Sequence, residues 1–268
     1  MCGRGFLDRQ KYSIDRHSST ASRLSQRIQV ALKQSLGLSM ESWDIGNAFL
    51  QGLRFDELRE KAKELGLETK KMRKVYLMPP KNVWRHLRSI PGSTIKITSL
   101  ECAYYVLLLL KPMYGLIDAP LLFQCALLLW TKKTLGGQPS LLDENHIFWN
   151  EGGQIAMCWT IHVDDINAIG SQEWLDWSRS KLEKRFGAVK RSKLPFLHNG
   201  LMYEELPNGA MLLSQNGHLE RIAPMPLDAS LNDDTYLGPK GTHDYASVLC
   251  SLLYVTICRL ELACEVTQ

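Results

Sequence analysis

Apolar residues recur at helical spacing in several stretches of the chain. This pattern predicts four helices, at residues 20–36, 119–134, 172–186 and 243–266. Residues 54–74 carry a single apolar stripe, formed by Leu58, Ala62 and Leu65, on an otherwise charged segment. We interpret this segment as a solvated surface helix rather than a nucleic-acid contact.

Short apolar runs bounded by turn residues predict strands, at residues 43–50, 75–78, 155–163, 166–169, 201–206 and 210–214. The last two flank Asn208 and Gly209, a pair that is typical of hairpin turns. Residues 106–110 fit a buried strand or a short helix equally well. Because strands and helices mix without regular alternation, the pattern predicts an α+β fold rather than a doubly wound sheet.

Composition narrows the class of protein only modestly. The 268 residues suit one large domain or two small ones, and the net charge of +4 is compatible with nucleic-acid binding without requiring it. The seven cysteines form no Cys-x-x-Cys pair, so we expect reduced, mostly buried thiols of an intracellular protein, cytoplasmic or nuclear. The N-terminus has no apolar secretion signal, and the apolar runs are shorter than the ~20 residues of a membrane span.

Two adjacent carboxylates are the sharpest chemical feature of the sequence. Asp164 and Asp165 stand between two predicted strands, in the run IHVDDI, and a tight turn there would project both from a hairpin tip. Two unpaired carboxylates repel each other, and a divalent cation relieves that repulsion. Taken alone, the pair is explained more simply as an ordinary Asp-Asp turn. Asp44, at the end of another apolar strand, would complete the convergent set that two-metal chemistry requires.

The chain at this point resembles the reverse transcriptases of copia-type retrotransposons. Six segments do so in the family's order, and together they span roughly residues 4–266. Residues 43–52 (WDIGNAFLQG) are similar to motif A, 111–120 (KPMYGLIDAP) to motif B and 161–170 to motif C with its trailing strand. The others are the Val-Tyr segment at 75–80, the primer-grip hairpin at 196–203 with 209–215, and the segment at 245–266 that leads on to ribonuclease H.

The resemblance implies an RNA-directed DNA polymerase of a Pol polyprotein that acts by two-metal nucleotidyl transfer. Asp44, Asp164 and Asp165 would be the catalytic, metal-binding carboxylates for two Mg²⁺ ions, with Mn²⁺ as the alternative. The partners would be an RNA template, a DNA primer, deoxynucleoside triphosphates and the integrase and ribonuclease H parts of the polyprotein. No membrane partner is implied.

Further roles carry over to the residues that match the family's motifs. The backbone amides of Ile45 and Gly46 would face the incoming triphosphate, and Phe49 would exclude a ribose 2′-hydroxyl. Tyr114 and Gly115 would pack against the nucleotide and template base. The primer grip would comprise three residues, Phe196, Leu197 and Gly200.

The implied architecture is a reverse-transcriptase palm, in which an antiparallel sheet packs on helices. Residues 1–205 would hold the palm with fingers truncated at the N-terminus, and 54–74 would be an insertion relative to the family. Residues 206–268 would form a partial thumb or connection leading toward a ribonuclease H domain that the chain lacks. The basic residues that grip the triphosphate in this family would lie upstream of residue 4.

Two departures from the family pattern bear on activity. His162 stands where the family has tyrosine, and Asp118 replaces the glutamine of motif B. We expect Asp118 to place a negative charge near the template and nucleotide and so to weaken binding of a polyanion. Two alternatives to an active polymerase therefore stay open: an inactive retrotransposon-derived fragment that at most binds nucleic acid, and a metal-dependent phosphohydrolase.

Overall fold

The computed structural model describes residues 8–10, 12–66, 73–98, 101–225 and 237–259. Seven α-helices are described, namely α1 (Arg23–Leu36), α2 (Leu58–Glu64), α3 (Lys81–Ser89), α4 (Ala119–Thr134), α5 (Gln172–Phe186), α6 (Asn216–Leu219) and α7 (Gly238–Val255). Two short 3₁₀ helices lie at Ala48–Gln51 and Glu101–Tyr104. Together with the strands they make a mixed α+β fold.

The described strands form three antiparallel sheets. The strands are β1 (Ser39–Ile45), β2 (Val75–Leu77), β3 (Leu107–Leu109), β4 (Gln138–Pro139), β5 (His146–Glu151), β6 (Gln154–His162), β7 (Asp165–Gly170), β8 (Val189–Lys193), β9 (Phe196–His198), β10 (Leu201–Glu205) and β11 (Met211–Ser214). The main sheet has the order β4-β5-β6-β7-β1-β8, and the smaller sheets are β11-β10-β9 and β2-β3.

Alternation along β1 divides the main sheet into two buried faces. Trp43 and Ile45 point to one face, where α4 and α5 cover them with Phe123, Leu182 and Phe186 among others. Met40 points to the opposite face, toward Phe196 and Tyr203 of the three-stranded sheet. This layering buries both sides of the central strands, as adjacent residues of a strand face opposite ways.

Local capping explains where two helices begin. The Ser22 side chain accepts from the Ser25 amide at the start of α1, and Ser171 accepts from the Trp174 amide at the start of α5. The end of α1 is marked by Gly37 at φ 63°, a left-handed conformation that glycine adopts without steric cost. The predicted bounds of α4 and α5 are confirmed, and α1 begins three residues later than predicted because the cap is Ser22.

Several predicted elements differ from the structure. The strand predicted at 43–50 ends at Ile45, since Asn47 at φ 55° turns the chain into a 3₁₀ helix. The helix predicted over 54–74 is described only at Leu58–Glu64, and residues 67–72 lie outside the described residues. Its apolar stripe is confirmed, because Leu58 and Ala62 are buried against α4. Residues 106–110, left open above, contain strand β3.

The elements that were not predicted include α3, β4, β5, β8 and α6. The last helix begins at Gly238, five residues before its predicted start, and ends at Val255, earlier than predicted; the predicted positions beyond residue 259 lie outside the described residues. The hairpin predicted around Asn208 and Gly209 is confirmed as β10–β11. It places strands on both sides of the predicted domain boundary at 205/206 in one sheet.

Two expectations from composition are met where the chain is described. Of the described cysteines, Cys102, Cys125 and Cys158 are buried. None of the helices in the described ranges is long and apolar enough to cross a bilayer.

Candidate functional site

Two of the predicted aspartates meet at one end of the main sheet. Asp44 on β1 and Asp165 on β7 are directly opposite in the antiparallel ladder, so their side chains lie on the same face. The row continues on both sides, with His162 opposite Asp165 on β6 and Lys190 opposite Asp44 on β8. Four neighbouring strands thus bring two carboxylates, an imidazole and an ammonium group to the same end of the main sheet.

The third aspartate belongs to the tight turn that joins β6 to β7. Val163 and Asp164 connect His162 to Asp165, which are themselves paired across the ladder. Val163 has a φ of 59°, a conformation that is a genuine outlier for a β-branched residue. Such backbone strain persists only where the surrounding structure holds it, and it is concentrated at functional sites. The turn thus combines the positive φ that a two-residue hairpin requires with a residue type that adopts it only at a cost.

The electrostatics of the three aspartates are coupled. Partial burial raises the pKa of Asp165 to about 6, and repulsion by Asp164 and Asp44 adds to that shift. Burial likewise raises the pKa of Asp164, with a further contribution from Asp44. Carboxylates that resist ionisation in this way are stabilised by any cation that binds between them. In the described part of the chain, however, no three His, Cys, Asp or Glu side chains are already arranged as a metal-binding group.

Two aromatic side chains border the carboxylates. The rings of Phe49 and Tyr114 are tilted against each other with their centroids 5.0 Å apart. Burial raises the pKa of the Tyr114 hydroxyl, and the charges of Asp164 and Asp44 raise it further, so this residue lies within electrostatic reach of both. The structure thus brings Phe49 and Tyr114 together beside the aspartates, although they are 65 positions apart in the sequence.

The backbone amides of Ile45 and Gly46, which were predicted to face a triphosphate, point to opposite sides of β1. The Gly46 amide donates to the Ala188 carbonyl at 2.9 Å, which engages it in the sheet. Since successive residues of a strand bond to opposite neighbours, the Ile45 amide points to the other side, toward β7. Gly115 is exposed with a φ of 87°, in the turn that precedes α4.

The segment predicted as a primer grip forms a two-residue hairpin between β9 and β10. Asn199 and Gly200 both have positive φ, as a type I′ turn requires. Phe196 is buried and stacks on Tyr203 with ring centroids 5.3 Å apart, whereas Leu197 is 64% exposed. The strand β9 contacts β1, which seats the hairpin against the strand that carries Asp44.

The structure places His198, which the sequence analysis did not single out, near the site. Its Nδ1 lies 3.0 Å from the Ser42 hydroxyl, so this buried imidazole connects the hairpin to β1. Burial lowers the pKa of His198 to about 4, and the nearby His162 lowers it further. His198 is therefore neutral at physiological pH. Its position follows from strand pairing, which no local sequence signal indicates.

Asp118, which we expected to weaken binding of a polyanion, lies in a buried ion pair. Asp118 is 2% exposed, and Arg73 grips it with two nitrogens, with Nε 2.7 Å from one carboxylate oxygen. The same guanidinium also donates to Asp8. Because Asp118 and Asp8 share this guanidinium, Arg73 offsets one of the two negative charges and reduces, without removing, the charge that they present to a polyanion. Arg73 stands 45 positions from Asp118, and sequence reasoning did not find it.

Comparison with protein-family models and with curated proteins gave no match to this chain.

Proposed function

We propose that this chain is the polymerase core of a copia-type reverse transcriptase, an RNA-directed DNA polymerase. The observation that carries the proposal is the pairing of Asp44 with Asp165 across two central strands, beside Asp164 in the strained turn. Phosphoryl transfer by two metal ions needs carboxylates that converge from separate strands of a rigid scaffold. Further support comes from the six family-like segments, which occur in the family's order.

The chemistry of the three carboxylates fits divalent cations. Asp44 and Asp164 would hold both Mg²⁺ ions, and Asp165 would be the less direct partner. The raised pKa values of Asp164 and Asp165, which come from burial first and from repulsion between the carboxylates second, support a cation site here, because a bound cation favours the ionised form. When bound, the ions would activate the primer 3′-hydroxyl and neutralise the departing pyrophosphate.

The protein's own contribution would be positioning. The ring of Phe49, held against Tyr114, would occupy the space that a ribose 2′-hydroxyl needs. The hairpin of β9 and β10, seated on β1, would set the primer end relative to Asp44. Rigid placement of this kind accounts for a large share of catalysis when the cofactor supplies the reactivity. The RNA template, DNA primer and deoxynucleoside triphosphates would be held through phosphate contacts and helix shape.

The inactive-fragment alternative loses one of its supports. It drew partly on the charge of Asp118, and that charge is paired with Arg73 in a buried contact. The phosphohydrolase alternative gives no role to the contact between Phe49 and Tyr114 or to the hairpin beside β1. Both alternatives make predictions that differ from those of a polymerase.

Template-dependent extension separates the three functions. The 268-residue chain is supplied with oligo(dT) annealed to poly(rA), dTTP and MgCl₂ or MnCl₂, and product length is followed on a denaturing gel. A polymerase extends the primer only when poly(rA) is present. An inactive binder retains the hybrid in a salt-sensitive manner without extension. A phosphohydrolase releases phosphate from an ester substrate whether or not a template is present.

A further inference from the structure

An open aromatic corner lies at the end of the main sheet remote from the aspartates. It is formed by Trp174 and Trp177 on the first two turns of α5, whose ring centroids are 5.2 Å apart at an interplanar angle of 76°. In this edge-to-face arrangement the two ring planes are nearly perpendicular. One face of each ring therefore borders the corner that the rings form. The length of β7, from Asp165 to Gly170, separates this corner from the aspartates by roughly 17 Å.

Two carboxylates complete the corner. Glu151 and Glu173 line the same open cavity of about 240 Å³ as Trp174 and Trp177. The Trp174 indole N–H donates to Glu151 at 2.9 Å, which fixes the orientation of that ring. Trp177 is 38% exposed, although a large aromatic side chain gains most from burial. Neither glutamate forms an ion pair with a described Lys or Arg, so the cavity combines π faces with uncompensated negative charge.

We propose that this corner binds a methylated ammonium group. The π face of tryptophan attracts cations more strongly than that of any other side chain, and perpendicular aromatic walls are suited to quaternary ammonium ions. A plain lysine ammonium is strongly hydrated and would gain little from an exposed glutamate. Methyl groups weaken that hydration and provide apolar surface for the rings, while the two glutamates balance the charge. The ligand is either a free choline-like cation or a methylated lysine side chain of another protein.

The site stands independently of the proposed polymerase function. Glu151 closes the β5–β6 hairpin at the end opposite His162, and α5 begins after β7 has ended. A simpler view is that Glu173 only stabilises the first turn of α5 and that the tryptophans only extend the core. That view predicts no preference for a cation over a neutral molecule of the same shape, and this preference is therefore what must be measured.

The experiment compares choline with 3,3-dimethylbutan-1-ol, its neutral isostere, by titration calorimetry on the full chain. We expect choline to bind in the millimolar range and about tenfold more tightly than the alcohol. Equal affinity for the two compounds, or no binding of choline at tens of millimolar, would overturn the proposal.

Matched variants locate the binding. Trp177→Phe keeps an aromatic face and is expected to retain binding, whereas Trp177→Leu removes it and is expected to lose about tenfold in affinity. Circular dichroism verifies that both variants fold. Equal binding by Trp177→Leu and the unmodified chain would refute the assignment. Peptides with trimethyl-lysine or unmodified lysine then distinguish the source: a trimethyl-lysine peptide that binds more tightly than choline indicates a protein ligand, and equal affinity indicates a free cation.

Discussion

Asp44 and Asp165 face each other directly across β1 and β7, with no residue between them in the ladder. Like charges placed opposite each other on a sheet destabilise it. Burial and this repulsion raise the pKa of Asp165 to about 6 from an ordinary value of 3.8. The folded protein therefore holds a proton at Asp165 more tightly than the unfolded chain does, and the stability gained from that proton is lost as pH rises through 6.

This relationship predicts that Asp165→Asn stabilises the metal-free protein at neutral pH. We expect a gain of about 1 kcal/mol in the free energy of unfolding at pH 7.5, after allowance for partial solvent exposure. The gain should disappear below pH 4, where Asp165 is protonated in both states. Urea denaturation between pH 4 and 8 in the presence of EDTA measures it. Glu204→Gln, at an exposed glutamate on β10 that forms no ion pair with a described residue, is the control, and an Asp165→Asn protein that is less stable at pH 7.5 would contradict the prediction.

The positive φ of Val163 predicts that glycine is more stable than alanine at this position, which reverses the usual order. Glycine normally destabilises an ordered backbone relative to alanine by about 0.5–1 kcal/mol. At position 163, with φ at 59°, alanine retains the left-handed penalty of about 1–2 kcal/mol and glycine does not. Val163→Gly should therefore be more stable than Val163→Ala, although both lose the same valine side chain. Thermal denaturation of the two variants tests this, and the usual order, with alanine the more stable, would show that the turn is unstrained.

The buried ion pair between Arg73 and Asp118 predicts a strong coupling. Arg73→Met leaves Asp118 buried without its cation, and we expect a cost of about 3 kcal/mol in unfolding free energy. The double variant Arg73→Met/Asp118→Leu should recover part of that loss, because the fully buried carboxylate is removed as well, although Asp8 still loses its partner. A double-mutant cycle by chemical denaturation, with Asp118→Leu as the second single variant, measures the coupling. Strictly additive effects would indicate that the two side chains do not interact.

The contact between Phe49 and Tyr114 predicts the basis of sugar selectivity under the proposed function. Phe49→Ala opens the space beside Tyr114, so the preference for dTTP over UTP in single-nucleotide incorporation should fall at least about tenfold. Phe49→Tyr keeps a ring in place and serves as the matched control. The ratio of kcat/KM for the two nucleotides is the quantity to compare. Unchanged selectivity in Phe49→Ala would remove the assigned role of this residue.

Helices with local start and stop signals were predictable from the sequence. The bounds of α5 follow from the Ser171 cap and from Gly187 after its last residue. Strand β8 escaped prediction because its sequence, VKRSK, is charged, and it tolerates that charge as an edge strand of the main sheet. Helix α3 was also missed, although its apolar residues Val83, Trp84 and Leu87 recur at helical spacing and Trp84 is buried.

Some features of the candidate site were likewise predictable from the sequence, and others were not. A tight turn at Asp164 was predictable from the local alternation of apolar and acidic residues, and the β6–β7 hairpin confirms that turn. The register that sets Asp44 against Asp165, and the approach of Arg73 to Asp118, depend on contacts between distant segments. The apolar periodicity of one segment does not show which distant segment lies beside it. That pairing is fixed when the sheet assembles.

The central claim is that Asp44, Asp164 and Asp165 form the metal-dependent centre of a polymerase. The most direct test is RNA-templated incorporation of dTTP on poly(rA)/oligo(dT) by the unmodified chain and by Asp164→Asn, with Asp176→Asn as the folded control. We predict incorporation that requires Mg²⁺ or Mn²⁺, persists in Asp176→Asn and falls at least about 10³-fold in Asp164→Asn. A well-folded chain that incorporates no nucleotide with either metal, or an Asp164→Asn variant as active as the unmodified chain, would contradict the claim.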